Sequence, residues 1–91
     1  MNTISIIPVM QSIKAQLKAL RTRHDDTFSN VSAFNPMSRI KIQTELPRMQ
    51  ETLRGISLQL CKINPILLKG EEGALYNEII SLYNDLKEDL F

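Results

Sequence analysis

The fold is decided by residues 42–63, "IQTELPRMQETLRGISLQLCKI". Ile42, Leu46, Met49, Leu53, Ile56, Leu60 and Ile63 alternate four and three residues apart without a slip. That spacing sets all seven along one face of an α-helix, because 3.6 residues complete a turn. Pro47 sits inside the pattern, where it removes a backbone donor and crowds the preceding turn. A kinked helix that already includes Ile42 is expected, with Thr44 as the alternative cap of a fresh start. Upstream, Asn35-Pro36 is a start signal: a capping side chain followed by the residue best suited to the first helical position.

The same alternation appears nearer the start of the chain. Ile6, Met10, Ile13, Leu17 and Leu20 are spaced four, three, four and three apart and form one narrow stripe. Pro8 is compatible with a first turn. The phase continues through His24, Phe28 and Val31, but "TRHDDTFSNVS" is rich in residues that prefer caps and turns. The end of this helix is therefore expected between Arg23 and Ser32. On the other side, "KINPILLKGEEG" carries Asn64-Pro65 and two glycines and must turn the chain. Glu71 and Glu72 then suit the positive end of a third helix. In it Leu75, Ile79, Leu82 and Leu86 form one stripe, and Tyr76, Ile80, Tyr83 and Leu90 a second beside it. At about 100° per residue the two cover roughly 160° of arc, about twice the width of the first helix's stripe. The third helix is expected to touch two neighbours.

These patterns predict an all-α protein: an antiparallel three-helix bundle made of a long helical hairpin and a shorter C-terminal helix. Its 91 residues leave room for one domain, 1–91. The predicted core is Met10, Ile13, Leu17, Leu20, Leu46, Met49, Leu53, Ile56, Leu60, Leu75, Ile79, Leu82 and Leu86. Hydrophobic residues make up 43% and charged residues 23%, too apolar for disorder, while 5% aromatics leave the core to Leu, Ile and Met. A core this small also makes a dimer an alternative.

Few chemistries are open to this chain. "ISIIPVM" has no basic residue before it and lacks the form of a signal peptide. No segment reaches the roughly 20 apolar residues of a membrane span. With the lone Cys61 this points to the cytoplasm, leaving export without a cleaved signal open. His24-Asp25-Asp26 is the only constellation hinting at catalysis, and neighbours on a helix point about 100° apart, so their side chains are not expected to meet. One Cys and one His far apart make no transition-metal site, and the acidic pairs lack a calcium loop's alternating ligands. Gly70 and Gly73 bracket two glutamates, the wrong charge for phosphate. Cys61 flanks a seam and reads as a small apolar filler. No enzyme signature and no cofactor are expected.

Charge is distributed unevenly. Residues 1–54 hold eight Lys or Arg against four acids, and residues 55–91 hold three Lys against six acids. The basic hairpin is expected to pair with the acidic third helix and fix its register. Surplus apolar surface is expected at Ile4, Ile7 and Val9 and along Tyr76, Ile80 and Tyr83. The leading functional expectation is a non-catalytic protein-binding module of adaptor, chaperone or inhibitor type, an architecture used by small secretion chaperones, immunity proteins and phage-encoded inhibitors. Its partner would be another protein or a second copy of itself. The alternative is a nucleic-acid-binding regulator that meets phosphates with Lys14, Lys18, Arg21 and Arg23. The residues expected at the partner surface are Ile7, Lys14, Lys18, Arg21, Tyr76, Ile80, Tyr83 and Phe91.

The ending "KEDLF" supports two readings. In one, Leu90 continues the buried stripe and Phe91 caps the bottom of the bundle. In the other, Asp89-Leu90-Phe91 resembles the last three residues of the clamp-binding pentapeptide of bacterial replication proteins, Gln-Leu-Ser/Asp-Leu-Phe. Lys87 and Glu88 stand where that pattern has Gln and Leu. The resemblance implies a tail that docks into a partner's apolar pocket.

Overall fold

The computed structural model describes residues 6–29 and 35–91. Ile4 and Val31 lie outside the described residues. Three helices follow in order: α1 (Ile7–Ser29), α2 (Pro36–Leu60) and α3 (Glu71–Leu90), with a 3-10 turn at Pro65–Leu67 before α3. Asn35 caps α2 as its side chain accepts a hydrogen bond from the Met37 N–H at 3.0 Å, and Pro36 takes the first helical position. α2 runs unbroken through Pro47. At the next turn Asn64 accepts from the Ile66 N–H at 3.1 Å. Gly70, whose φ of 59° lies where L side chains are disfavoured, leads directly into α3. Glu71 and Glu72 occupy the first turn of α3, against the positive end of its dipole.

Side-chain pairs give the helix directions. Gln16 exchanges hydrogen bonds with Gln59 at 3.0 and 3.2 Å, and Arg23 donates to Glu45, so α1 and α2 are antiparallel. Lys14 meets Glu78 at 2.7 Å and Arg21 meets Asp89 at 2.6 Å, so α1 and α3 run parallel. The expected pairing of basic hairpin with acidic third helix is thus present for α1 alone; on α2, Arg48 meets Glu45 and Arg54 meets Glu51 within the hairpin.

The core consists of Met10, Ile13, Leu17, Leu20, Met49, Leu53, Ile56, Leu60, Ile63, Ile79, Leu86 and Leu90. Leu46, Leu75 and Leu82, predicted as core, are half-buried and pack on its edge. For Leu46 the reason is the length of α3. The last helical carbonyl, that of Leu90, accepts from Gln50 Nε2 at 2.6 Å, so α3 stops level with Gln50 and Arg21. Beyond that level the hairpin continues as two helices, where His24 stacks on Phe28 at 4.6 Å and Thr27 is buried. The radius of gyration, 16.0 Å, exceeds the roughly 12 Å of a compact domain of this length.

As the width of its apolar arc predicted, α3 touches both other helices. The narrow-striped α1 packs extensively on both other helices, whereas α2 and α3 meet over a shorter seam. Gly55 lies mid-α2, and a Cβ built there meets nothing within 4 Å. Gly55→Ala is therefore expected to stabilise the protein by about 0.5–1 kcal/mol, read as a higher urea midpoint with unchanged slope. A loss of stability would show that this position needs glycine.

Candidate functional site

Because α3 leans on α1, the far side of the α2–α3 seam is left open. Glu78, Asp85 and Asp89 fall within about 40° of one another around α3, on the side turned to α1. Tyr76, Ile80, Tyr83 and Lys87 fall on the side turned to α2. The ion pairs to Lys14 and Arg21 therefore hold one edge of α3, while the other edge is tied to α2 chiefly by the Gln50–Leu90 hydrogen bond. The result is a groove of about 460 Å³. Glu51, Arg54, Ser57 and Leu58 form its α2 wall, Tyr83, Lys87 and Phe91 its α3 wall, and Leu53 its floor.

Apolar surface dominates this groove. Leu58 is 68% exposed and Phe91 60% exposed. Phe91 stands between the groove and a shallower hollow edged by Asn84, Lys87 and Glu88. The Arg54 guanidinium lies over its ring, 5.5 Å from the centroid, and also meets Glu51 at 3.2 Å. Phe91 thus forms a wall of the groove instead of the cap at the bottom of the bundle that the first reading of the ending expects. Leu90, by contrast, is helical and 3% exposed. Docking of "DLF" as a free peptide would require Leu90 to leave the core.

The expected partner-surface residues divide into three groups. Tyr83 and Phe91 line the groove, and Tyr76 and Ile80 lie half-buried on the same side of α3. Lys14 and Arg21 are engaged at the α1–α3 seam, with exposed Lys18 between them in sequence. Ile7 packs against the core at the start of α1. Leu58, Arg54 and Lys87 were missed. Leu58 carried a signal, since it is a large apolar residue out of phase with Leu53, Ile56 and Leu60. Arg54 and Lys87 carried none.

Two further readings change. Cys61 is exposed rather than a filler, because it lies just past the last helical turn of α2. His24 and Asp25 do meet, Nδ1 to Oδ1 at 3.1 Å, contrary to the expectation for adjacent residues. That contact, with Arg21 nearby, holds the Asp25 carboxyl below its usual range. Among the described residues no group of three His, Cys, Asp or Glu could hold a metal ion, and no helix is long and apolar enough to cross a membrane.

The surface carboxylates predict an acid response. Hydrogen bonds from Lys14 and Arg23 hold Glu78 and Glu45, respectively, below the ordinary glutamate value of 4.5. A carboxyl with a lowered folded-state pKa contributes stability that is complete above its unfolded value and lost as pH falls through the folded one. Melting temperature is expected to stay level above about pH 6 and to fall below about pH 4. Glu78→Gln should make the acid limb shallower. An unchanged limb would show that the Lys14 pair contributes nothing.

Comparison with known protein families, characterised proteins and solved structures finds no match for this chain. Fold and groove together define the class: an all-α three-helix bundle with an open apolar groove along one inter-helix seam.

Proposed function

We propose that the protein is a non-catalytic binding module of adaptor, chaperone or inhibitor type that seats an apolar segment of another protein in the α2–α3 groove. The observation that carries this reading is the convergence of Leu58, Tyr83 and Phe91 on one groove while α1 takes up most of α3's contacts. Covering an exposed Leu or Phe contributes about 1.5–3 kcal/mol each, enough for two such residues to anchor a partner. The cytoplasm suits an exposed, unpaired Cys61.

The basic first half supports nucleic-acid binding less well. Lys14, Arg21 and Arg23 each meet a carboxylate at 2.7 Å or less, so a phosphate would have to displace Glu78, Asp89 and Glu45. Binding to DNA or RNA that weakens steeply between low and physiological salt would reverse this preference.

Affinity capture from extract of the source organism, with wild type and Leu58→Asp side by side, tests the module reading. A protein retained only by wild type should, in the purified complex, protect amides of residues 51–61 and 76–91 from exchange. Protection confined to α1, or capture indifferent to Leu58, would sink the reading.

A further inference from the structure

We infer that the groove's occupant is an acidic amphipathic helix of a different protein, which lies along the α2–α3 seam and completes a four-helix bundle. This rests on the proposed role of the groove. The walls themselves indicate a helix. On α2 the lining residues Glu51, Arg54 and Leu58 follow three and four apart, and on α3 Tyr83, Lys87 and Phe91 follow four and four. Tyr83, Lys87 and Phe91 thus form one four-spaced ridge and Arg54 and Leu58 another, with Glu51 and Ser57 beside it, and the surface that fits between two such ridges is a third helix's own ridges. α1 already covers the opposite side of α2 and α3, so a helix here would occupy the fourth position of a bundle.

Charge identifies the kind of helix. Arg54 sits in the middle of one wall and Lys87 in the middle of the other, against the single acid Glu51. Glu51 is drawn to Arg54 at 3.2 Å, while Lys87 has no ion-pair partner among the described residues. Glu78 and Asp89 of α3 face α1, and Glu88, which edges the neighbouring hollow with Lys87 and Phe91, forms no ion pair with either cation among the described residues. An occupant with carboxylates flanking its apolar stripe would meet a cation on each side. α3 already docks on α1 by this device, an apolar stripe edged by Glu78 and Asp89 against Lys14 and Arg21.

The same charges disfavour a second copy. Two identical grooves face to face would gather four cations and two acids into one small interface. The acidic helix of a second copy is not free either, since its apolar stripe is buried in its own bundle.

Two labelled 18-residue helical peptides with the same leucine stripe test this, one flanked by Glu and one by Lys, titrated against the full chain by fluorescence anisotropy. At low salt the Glu-flanked peptide should bind about tenfold more tightly, and added salt should shrink the difference. Arg54→Glu with Lys87→Glu should invert the preference, and Leu58→Asp should abolish binding of both peptides. All three side chains are exposed, so melting curves should match wild type. If the double variant fails to fold, Arg54→Gln with Lys87→Gln should erase the preference instead. Equal binding of both peptides, lost with Leu58→Asp, would overturn the acidic partner and leave the groove standing. No binding of either would overturn both. A concentration-dependent dimer in sedimentation, abolished by Leu58→Asp, would assign the groove to a second copy.

Discussion

Ile79→Ala is expected to destabilise the protein by about 2–5 kcal/mol, lowering the urea midpoint while leaving the slope unchanged. Ile79 is fully buried, at the centre of the α3 stripe that packs into the core. Truncation removes three carbons from a close-packed site and leaves a cavity that three helices cannot easily collapse to fill. Domains of this size are stable by about 5–15 kcal/mol in total, so the loss is a large fraction. On heating it corresponds to at least about 8 °C. A cost below about 1 kcal/mol would mean that α3 is only loosely docked, and the groove beside it would lose its fixed wall.

The second large effect separates the last two residues. Leu90→Ala should cost about 2–4 kcal/mol, because Leu90 is buried and is the last layer of core below the open hairpin tip. Phe91→Ala should shift stability by no more than about 1 kcal/mol, the value of an exposed ring under a guanidinium. Binding should show the opposite split: Phe91→Ala removes a wall of the groove and weakens the partner at least about tenfold. Thermal melts and peptide titrations on both variants decide the matter. A large stability loss with Phe91→Ala and none with Leu90→Ala would reverse the roles assigned to the two residues.

Elongation has a consequence for the hairpin tip. Met37 and Ile40 are exposed on α2 above the end of α3, and Phe28 and Leu46 are half-buried there at the edge of the core. With no third helix there among the described residues, backbone hydrogen bonds near residues 24–29 and 36–46 should open more readily than those around Leu53. Hydrogen exchange should rank the two regions in that order.

The periodic stripes settled the helices, because helical side-chain spacing is local: four-three alternation reports one face of a helix whatever packs against it. The stripe through Met49, Leu53, Ile56 and Leu60 and the one through Met10, Ile13, Leu17 and Leu20 are both buried as read. Caps and turns at Asn35, Asn64 and Gly70 were legible for the same reason, since each acts through its own backbone neighbours. The charge imbalance was legible as a sum, and it predicted the ion pairs of α1 with α3 but not those that α2 keeps within the hairpin.

How α3 is turned about its axis was not legible. It depends on which edge finds partners across a helix interface, and Lys14 and Arg21 are about 64–68 residues away in sequence from Glu78 and Asp89. That rotation makes α1 the helix that serves both neighbours, leaves the α2–α3 seam open, and sets Leu58, Arg54, Lys87 and Phe91 around one groove. The relative ends of the helices were hidden too, so Leu46 was in phase yet only half-buried, and Cys61 fell past the helix end into solvent. Sequence periodicity thus determined which residues form helices and which faces are apolar. Only the tertiary packing, through long-range ion pairs and the length of α3, decided which apolar face stays uncovered.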